Sequence, residues 1–215
     1  MIRSFGLSEF LYLFSGIPWT IIVTLITCVL GGAVGFVVAV ARISRNMPIR
    51  ILAMAYIQVV QGTPALMLVF LSYYGLALLG YRVMPLVAAS VALSIFASGY
   101  FAEIWRGSLQ SVSSKQWEAA ESLAMNRIDT FFLVILPQAV RISIPPTVGF
   151  IVQVIKMSSV TALIGFVEIT RAGQLMNNLT FQPFAVFIAV AAIYFVLCFP
   201  LTVYSKYLER KQPNA

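Results

Sequence analysis

The chain has 215 residues, 60% of them hydrophobic and only 10% charged, with a formal charge of +7 and a mean hydropathy of +0.94. A soluble domain carries about 25% charged residues, so this composition excludes a water-soluble globule and calls for lipid over much of the surface. The absence of histidine removes the commonest metal ligand and the commonest general base; Cys28 and Cys198 lie in apolar runs far apart and read as small core residues, not as a disulfide framework.

Residues 1–15 carry Arg3 and Glu9 and no small-residue cleavage site, so they fall short of a secretory signal. Residues 17–41 are uncharged and long enough to cross about 30 Å of hydrocarbon, which takes about 20 helical residues. Gly31, Gly32 and Gly35 in this run suit close helix approach in a membrane. Arg42, Arg45 and Arg50, around Met47-Pro48, close it. Residues 51–60 predict a helix leading into the membrane, broken at Gln61-Gly62-Thr63-Pro64, with Pro64 in the first turn of a second span that ends near Leu79. Tyr81, Arg82 and Pro85 form a short return loop. A third span covers 86 to about 104, followed by Arg106 and a polar stretch over 107–115.

Residues 116–141 differ in kind. They carry Glu118, Glu121, Arg127 and Asp129, then an apolar run over 131–136, too short to span before Pro137. Residues 115–125 predict a short helix anchored by Trp117 and Leu123. Asn126 ends it, and 128–140 predict a second amphipathic piece interrupted at Pro137. Two short helices joined by a turn make a rigid knob that fits a partner's groove, with Ala119 and Ala120 small enough for close approach. A fourth span is expected from Pro145-Pro146 to about Lys156. A semi-apolar stretch over 158–173 follows, then a fifth span over about 183–203 and a basic tail with Lys206, Glu209, Arg210 and Lys211. The expected fold is all-α: a single membrane-embedded domain, 1–215, of five transmembrane helices, with a coupling loop at about 111–143.

The positive-inside rule sets the expected orientation. With the first span running inward, ten cations lie on the cytoplasmic side, among them Arg42, Arg45, Arg50, Arg106, Lys115, Arg127 and Arg141. Arg3, Arg82 and Arg171 are left outside, with Lys156 at membrane depth. The N-terminus is then outside and the C-terminus inside, and the basic charge needs no nucleic acid to explain it.

Glu118-Ala119-Ala120, three residues, Ala124, and then Leu136-Pro137 form a pattern that resembles the inner-membrane permeases of bacterial ABC importers, whose cytoplasmic loop carries Glu-Ala-Ala, three residues, Gly, and a later Ile/Leu-Pro. Ala102-Glu103-Ile104-Trp105-Arg106-Gly107, Leu136-Pro137-Gln138-Ala139-Val140-Arg141, Gln61-Gly62-Thr63-Pro64 and Val154-Ile155-Lys156-Met157-Ser158-Ser159 are similar to the polar amino-acid (histidine/glutamine-type) branch. The resemblance covers essentially residues 16–211. It implies a type I importer permease in the bacterial inner membrane and a pseudo-two-fold pair with an identical or similar permease. It also implies two ATPase subunits under the coupling loops and an extracytoplasmic amino-acid-binding protein. Gln61 stands where that branch has arginine. Ala124 stands where the family has glycine, and because alanine is the better helix former by about 1 kcal/mol it favours a longer first helix. The chain has no Gly-x-x-x-x-Gly-Lys-Ser/Thr loop, so ATP and Mg are expected on partner chains, and no cofactor, metal or catalytic residue on this one.

The remaining charges carry two readings each. Lys156 either snorkels to the interface or serves the substrate pathway. Glu103 and Arg106, three apart, are expected to pair with each other. Glu168 and Arg171 have the same spacing; either they pair, or Glu168 faces the pathway and meets a substrate ammonium. Ser158, Ser159 and Thr161 either face a substrate carboxylate or bond to their own helix carbonyls, the commoner use in membranes. A self-sufficient transporter would call for an internal repeat or symmetric mid-membrane charges, and a membrane enzyme for a nucleophile–base or metal set. The chain has little from which to build either.

Overall fold

A computed structural model describes residues 4–211; Arg3 lies outside the described residues. Among them the chain forms nine helices: α1 (Leu7–Leu13), α2 (Gly16–Arg42), α3 (Met47–Gly62), α4 (Ala65–Leu78), α5 (Pro85–Ser111), α6 (Ser114–Ser122), α7 (Arg127–Ile164), α8 (Ile169–Thr180) and α9 (Pro183–Lys211). Four segments are long and apolar enough to cross a membrane: α1 with α2, α5, α7 and α9. Counted as one bent crossing, α3 and α4 bring the number to five. Leu25, Val29, Val37, Ile188 and Val196 are each more than half exposed along these helices, which is the surface lipid covers.

The bend between α3 and α4 is 95°, and its cause is local. Thr63, which precedes Pro64, is extended at ψ 125°, as the proline ring requires of its neighbour. Thr63 Oγ1 returns to the Val59 carbonyl at 2.8 Å, and the Pro64 carbonyl receives the Met67 amide at 2.9 Å. The first of these helices starts at Met47, with Pro48 in its first turn, four residues before the apolar pattern at 51 suggests.

Small residues bring α2 against α5. A Cβ on Gly31 would sit 2.9 Å from the Ser94 carbonyl, and one on Gly35 would sit 2.9 Å from the Ser98 carbonyl and 2.8 Å from Phe101 Cβ. In lipid, where apolar burial gives helices no reason to associate, this close packing is what holds them.

Helix α7 corrects the expected fourth span. It does not begin near Pro145-Pro146, and Pro137 does not interrupt a separate short piece: one helix runs from Arg127 to Ile164. A proline ring clashes with the carbonyl four residues before it. Residues Thr130–Ile135 widen into a π-turn just ahead of Pro137, which makes room, and Gln138 Nε2 donates to the Val134 carbonyl at 2.8 Å. Further along, the Pro145 carbonyl accepts from Ser205 Oγ at 2.9 Å and ties α7 to α9.

Candidate functional site

The knob at the basic end is helix α6 and the start of α7. The Ser113 hydroxyl accepts the Lys115 amide at 3.3 Å and opens α6. Ala120 is buried, whereas Glu118 and Ala119 are exposed. The helix ends at Ser122, so the expectation of a longer helix through Ala124 is not met. Ala124 takes the left-handed conformation, φ 55°, the position at which glycine usually ends a helix. Around it the amide of Ala124 donates to the Glu121 carbonyl at 3.0 Å and that of Met125 to Ala120 at 3.1 Å, the pair of bonds that defines a Schellman turn. Alanine therefore keeps the glycine geometry and bears the strain. Two residues later, Asn126 Oδ1 accepts the Asp129 amide at 2.8 Å and caps α7.

The knob is not free to swing on this turn. Leu109, Val112, Ile135 and Ala139 form a buried cluster, against which Ile43, Trp117, Phe131 and Leu136 pack. Leu136 thus belongs to the anchor, while Pro137 is exposed beside it. Leu123, 77% exposed, and Ile128, 71% exposed, flank the turn as apolar contacts available to a partner.

Within the membrane-facing bundle, Gly62-Thr63-Pro64 shapes the α3–α4 bend. One residue before it, Gln61 Nε2 donates to the Gly99 carbonyl at 3.3 Å, so the residue that stands in for arginine braces α3 against α5. Beside it lies a polar cavity of about 390 Å³ lined by Arg42, Met54, Ile57, Gln58, Gln61 and Glu103. Glu103 and Arg106 form the pair their spacing predicts, with Arg106 Nε 2.9 Å from Glu103 Oε2. Among the described residues, Arg42 Nε is buried with no hydrogen-bond partner. That Arg42 and Gln58 join Glu103 around this cavity is not evident from the sequence; the visible signal is two glutamines, 58 and 61, three apart in the largely apolar second half of α3.

The remaining candidates lie along the end of α7 and in the segment that joins it to α8. Lys156 is exposed in the last turns of α7. Ser158 and Ser159 donate to the carbonyls of Ile155 and Lys156 at 2.8 and 2.6 Å, and Thr161 to that of Ser158 at 2.6 Å. Glu168, between α7 and α8, does not pair with the Arg171 side chain, which bonds to Gln174. Its carboxylate instead caps α8, accepting the Arg171 amide at 2.8 Å, the Thr170 amide at 2.9 Å and the Tyr194 hydroxyl at 2.6 Å. It is wholly buried. Burial pushes its carboxyl above the usual carboxylate range, against the pull of the Tyr194, Thr170 and Arg171 donors.

The knob thus joins a frame of four segments long and apolar enough to cross a membrane and the bent α3–α4 pair. The family described as binding-protein-dependent transport system inner membrane component matches residues 31–212. The chain belongs to that family. The chain is 31% identical over 206 residues to YckA of Bacillus subtilis (strain 168), a probable amino-acid ABC transporter permease, covering 96% of the chain and 91% of the relative. It is 34% identical over 198 residues to the L-cystine transport system permease TcyB of the same organism, covering 91% and 84%. Its fold matches a solved amino acid ABC transporter with histidines at a TM-score of 0.87 and 33% identity, over 94% of each chain. A methionine transporter, MetNI, in an inward-facing conformation shares the fold at a TM-score of 0.73 and 16% identity, over 93% of each.

Proposed function

We propose that this chain is the permease subunit of an ATP-binding-cassette importer for polar amino acids, seated in the bacterial inner membrane with its basic end in the cytoplasm. Two ATPase subunits bind beneath the knobs and hold ATP and Mg. A second permease, identical or similar, completes the path, since five spans make too thin a bundle to enclose a solute. An extracytoplasmic binding protein delivers the amino acid.

The observation that carries this reading is the covalent run of α7. The Schellman turn fixes α6 against the capped start of α7, and α7 continues through Leu136 and Pro137 into the membrane as one helix. A partner that moves Glu118, Ala119 and Ala120 therefore moves a span. Alternating access driven from outside the chain needs such a link between a docked partner and the membrane path. The polar cavity supports the substrate class: the Glu103 carboxylate and the side-chain amides of Gln58 and Gln61 offer partners for the ammonium and carboxylate of an amino acid. Lys156 is retained as a pathway candidate on its exposure near the outer end; Ser158, Ser159 and Glu168 are assigned to holding the helix ends.

The test is to tag the C-terminus, solubilise native membranes gently, and identify what co-purifies, then to measure ATP-dependent uptake in proteoliposomes. An ATPase subunit is expected. Glu118→Lys is expected to insert normally and to lose most uptake together with the co-purifying ATPase. Equal uptake by this variant would remove the knob from its docking role.

A further inference from the structure

We propose that the basic end carries a built site for one anionic phospholipid of the cytoplasmic leaflet, with its phosphate in an arginine cleft and an acyl chain in the apolar groove that meets the cleft at Leu109. The site rests on the orientation given above and goes beyond the importer reading. The cleft, about 710 Å³, is lined by Arg42, Arg45, Arg50 and Arg127, with Gln110 and Ser114 beside them. One carboxylate, Glu121, also lines it, and it already lies 4.0 Å from Arg127. Among the described residues none of Arg42, Arg45 and Arg50 has a carboxylate partner. Four guanidiniums around one small space repel each other unless an anion lies between them. All four cations are arginine rather than lysine, and the guanidinium fork matches phosphate in two-pronged bonds.

The second half of the site is the groove. It measures about 430 Å³ and runs between α2, α5 and α7, with Phe36, Leu109, Leu136, Val140, Ile144 and Val148 along its walls. Its polar side chains are already engaged: Trp105 Nε1 donates to Thr147 Oγ1 at 2.9 Å and Ser143 Oγ to the Val140 carbonyl at 2.9 Å. It therefore offers an occupant no hydrogen bond to balance a buried polar group, and an apolar chain suits it. With Arg141 at the cytoplasmic interface, the stretch of α7 from Ile142 to Val148, about 9 Å of helix rise, carries the groove from the interface into the hydrocarbon. A charged cleft at the interface that opens on an apolar groove leading into the bilayer has the shape of a phospholipid. A soluble acidic protein would match the cleft and leave the groove empty.

The experiment is native mass spectrometry of the purified full-length chain, released from detergent after incubation with dioleoyl phosphatidylglycerol or dioleoyl phosphatidylcholine. Wild type is expected to retain phosphatidylglycerol over phosphatidylcholine by about tenfold. The double variant Arg45→Gln/Arg50→Gln is expected to bring the two lipids near parity, and Arg45→Lys/Arg50→Lys to restore part of the preference, which separates lost charge from lost fold. Ala33 on α2 also lines the groove, and Ala33→Trp, which fills it with every charge in place, is expected to lower retention of phosphatidylglycerol. Parity in wild type, or no effect of Ala33→Trp, overturns the proposal. Displacement of the lipid by inorganic phosphate marks a free-anion site and overturns it as well. So does a cysteine crosslink from Ala33→Cys to a neighbouring permease in the assembled complex, since a protein helix then fills the groove. The measurement uses neither ATP nor an ATPase, so its failure leaves the importer reading untouched.

Discussion

The amide of Met125 donates to the carbonyl of Ala120 at 3.1 Å across a left-handed alanine, Ala124. The bond turns the chain from α6 into α7, and it forms although the residue between them disfavours the shape. A non-glycine residue held in the left-handed region costs roughly 1–2 kcal/mol. Ala124→Gly is therefore expected to stabilise the turn by about 1 kcal/mol without changing its path. Thermal unfolding in detergent should show a higher midpoint, with ATP-dependent uptake at or above wild type. A lower midpoint would mean that the alanine methyl makes a contact worth more than the strain.

The other side of the turn depends on Asn126, whose side chain accepts the Asp129 amide at 2.8 Å and whose carbonyl receives Thr130. Asn126→Ala removes the cap and is expected to cost about 1 kcal/mol. Asn126→Ser, which keeps an acceptor for the Asp129 amide, should retain most of it; Asn126→Asp would set a second carboxylate against Asp129 Oδ2, to which Asn126 Nδ2 donates at 2.6 Å. Because the cap sits where the knob joins the span, uptake should fall more than the amount of folded protein does. Hydrogen exchange over 124–130 should rise in the alanine variant alone.

The close approach of α2 and α5 gives a prediction about assembly rather than coupling. Gly35→Val would put a side chain into the Ser98 carbonyl and Phe101, where even a Cβ sits under 3 Å away. Overpacking of this kind typically costs 1–3 kcal/mol, occasionally more. The variant should give less monodisperse protein and a lower midpoint. Gly62→Ala serves as the control, since a Cβ there meets nothing.

The spans were legible because charge is expensive in lipid and the apolar runs are long. The motif at 118–137 was legible as a pattern, but its shape was not. Helix propensity at Ala124 is a local preference, whereas the turn is fixed by anchors on both sides, Trp117 and Ile135, that belong to different parts of the chain. Pro137 and the pair at 145–146 suggested breaks because proline usually ends a helix; a π-turn ahead of the first and a bond from Ser205, sixty residues away, to the second's carbonyl are not written in the local sequence. Gln58 and Arg42 join Glu103 only when three helices meet, so periodicity within one of them pointed at half of that cavity.

Glu168 illustrates the same limit and yields the last prediction. Its spacing to Arg171 suggested an ion pair, and its position a role toward substrate, but both oxygens are taken by donors from α8 and from Tyr194 on α9. Glu168→Gln keeps the size and replaces one acceptor with a donor facing the Thr170 or Arg171 amide. A buried donor left without a partner costs about 1–3 kcal/mol, so the variant should unfold at lower temperature. Tyr194→Phe, which removes one donor and leaves the two capping amide bonds in place, should do so by less. Uptake should fall in proportion to folded protein, with the order of preference among amino acids unchanged. If instead Glu168→Gln keeps the wild-type midpoint and shifts that order, the carboxylate faces the substrate in a conformation other than this one, and the cap at α8 must open during transport.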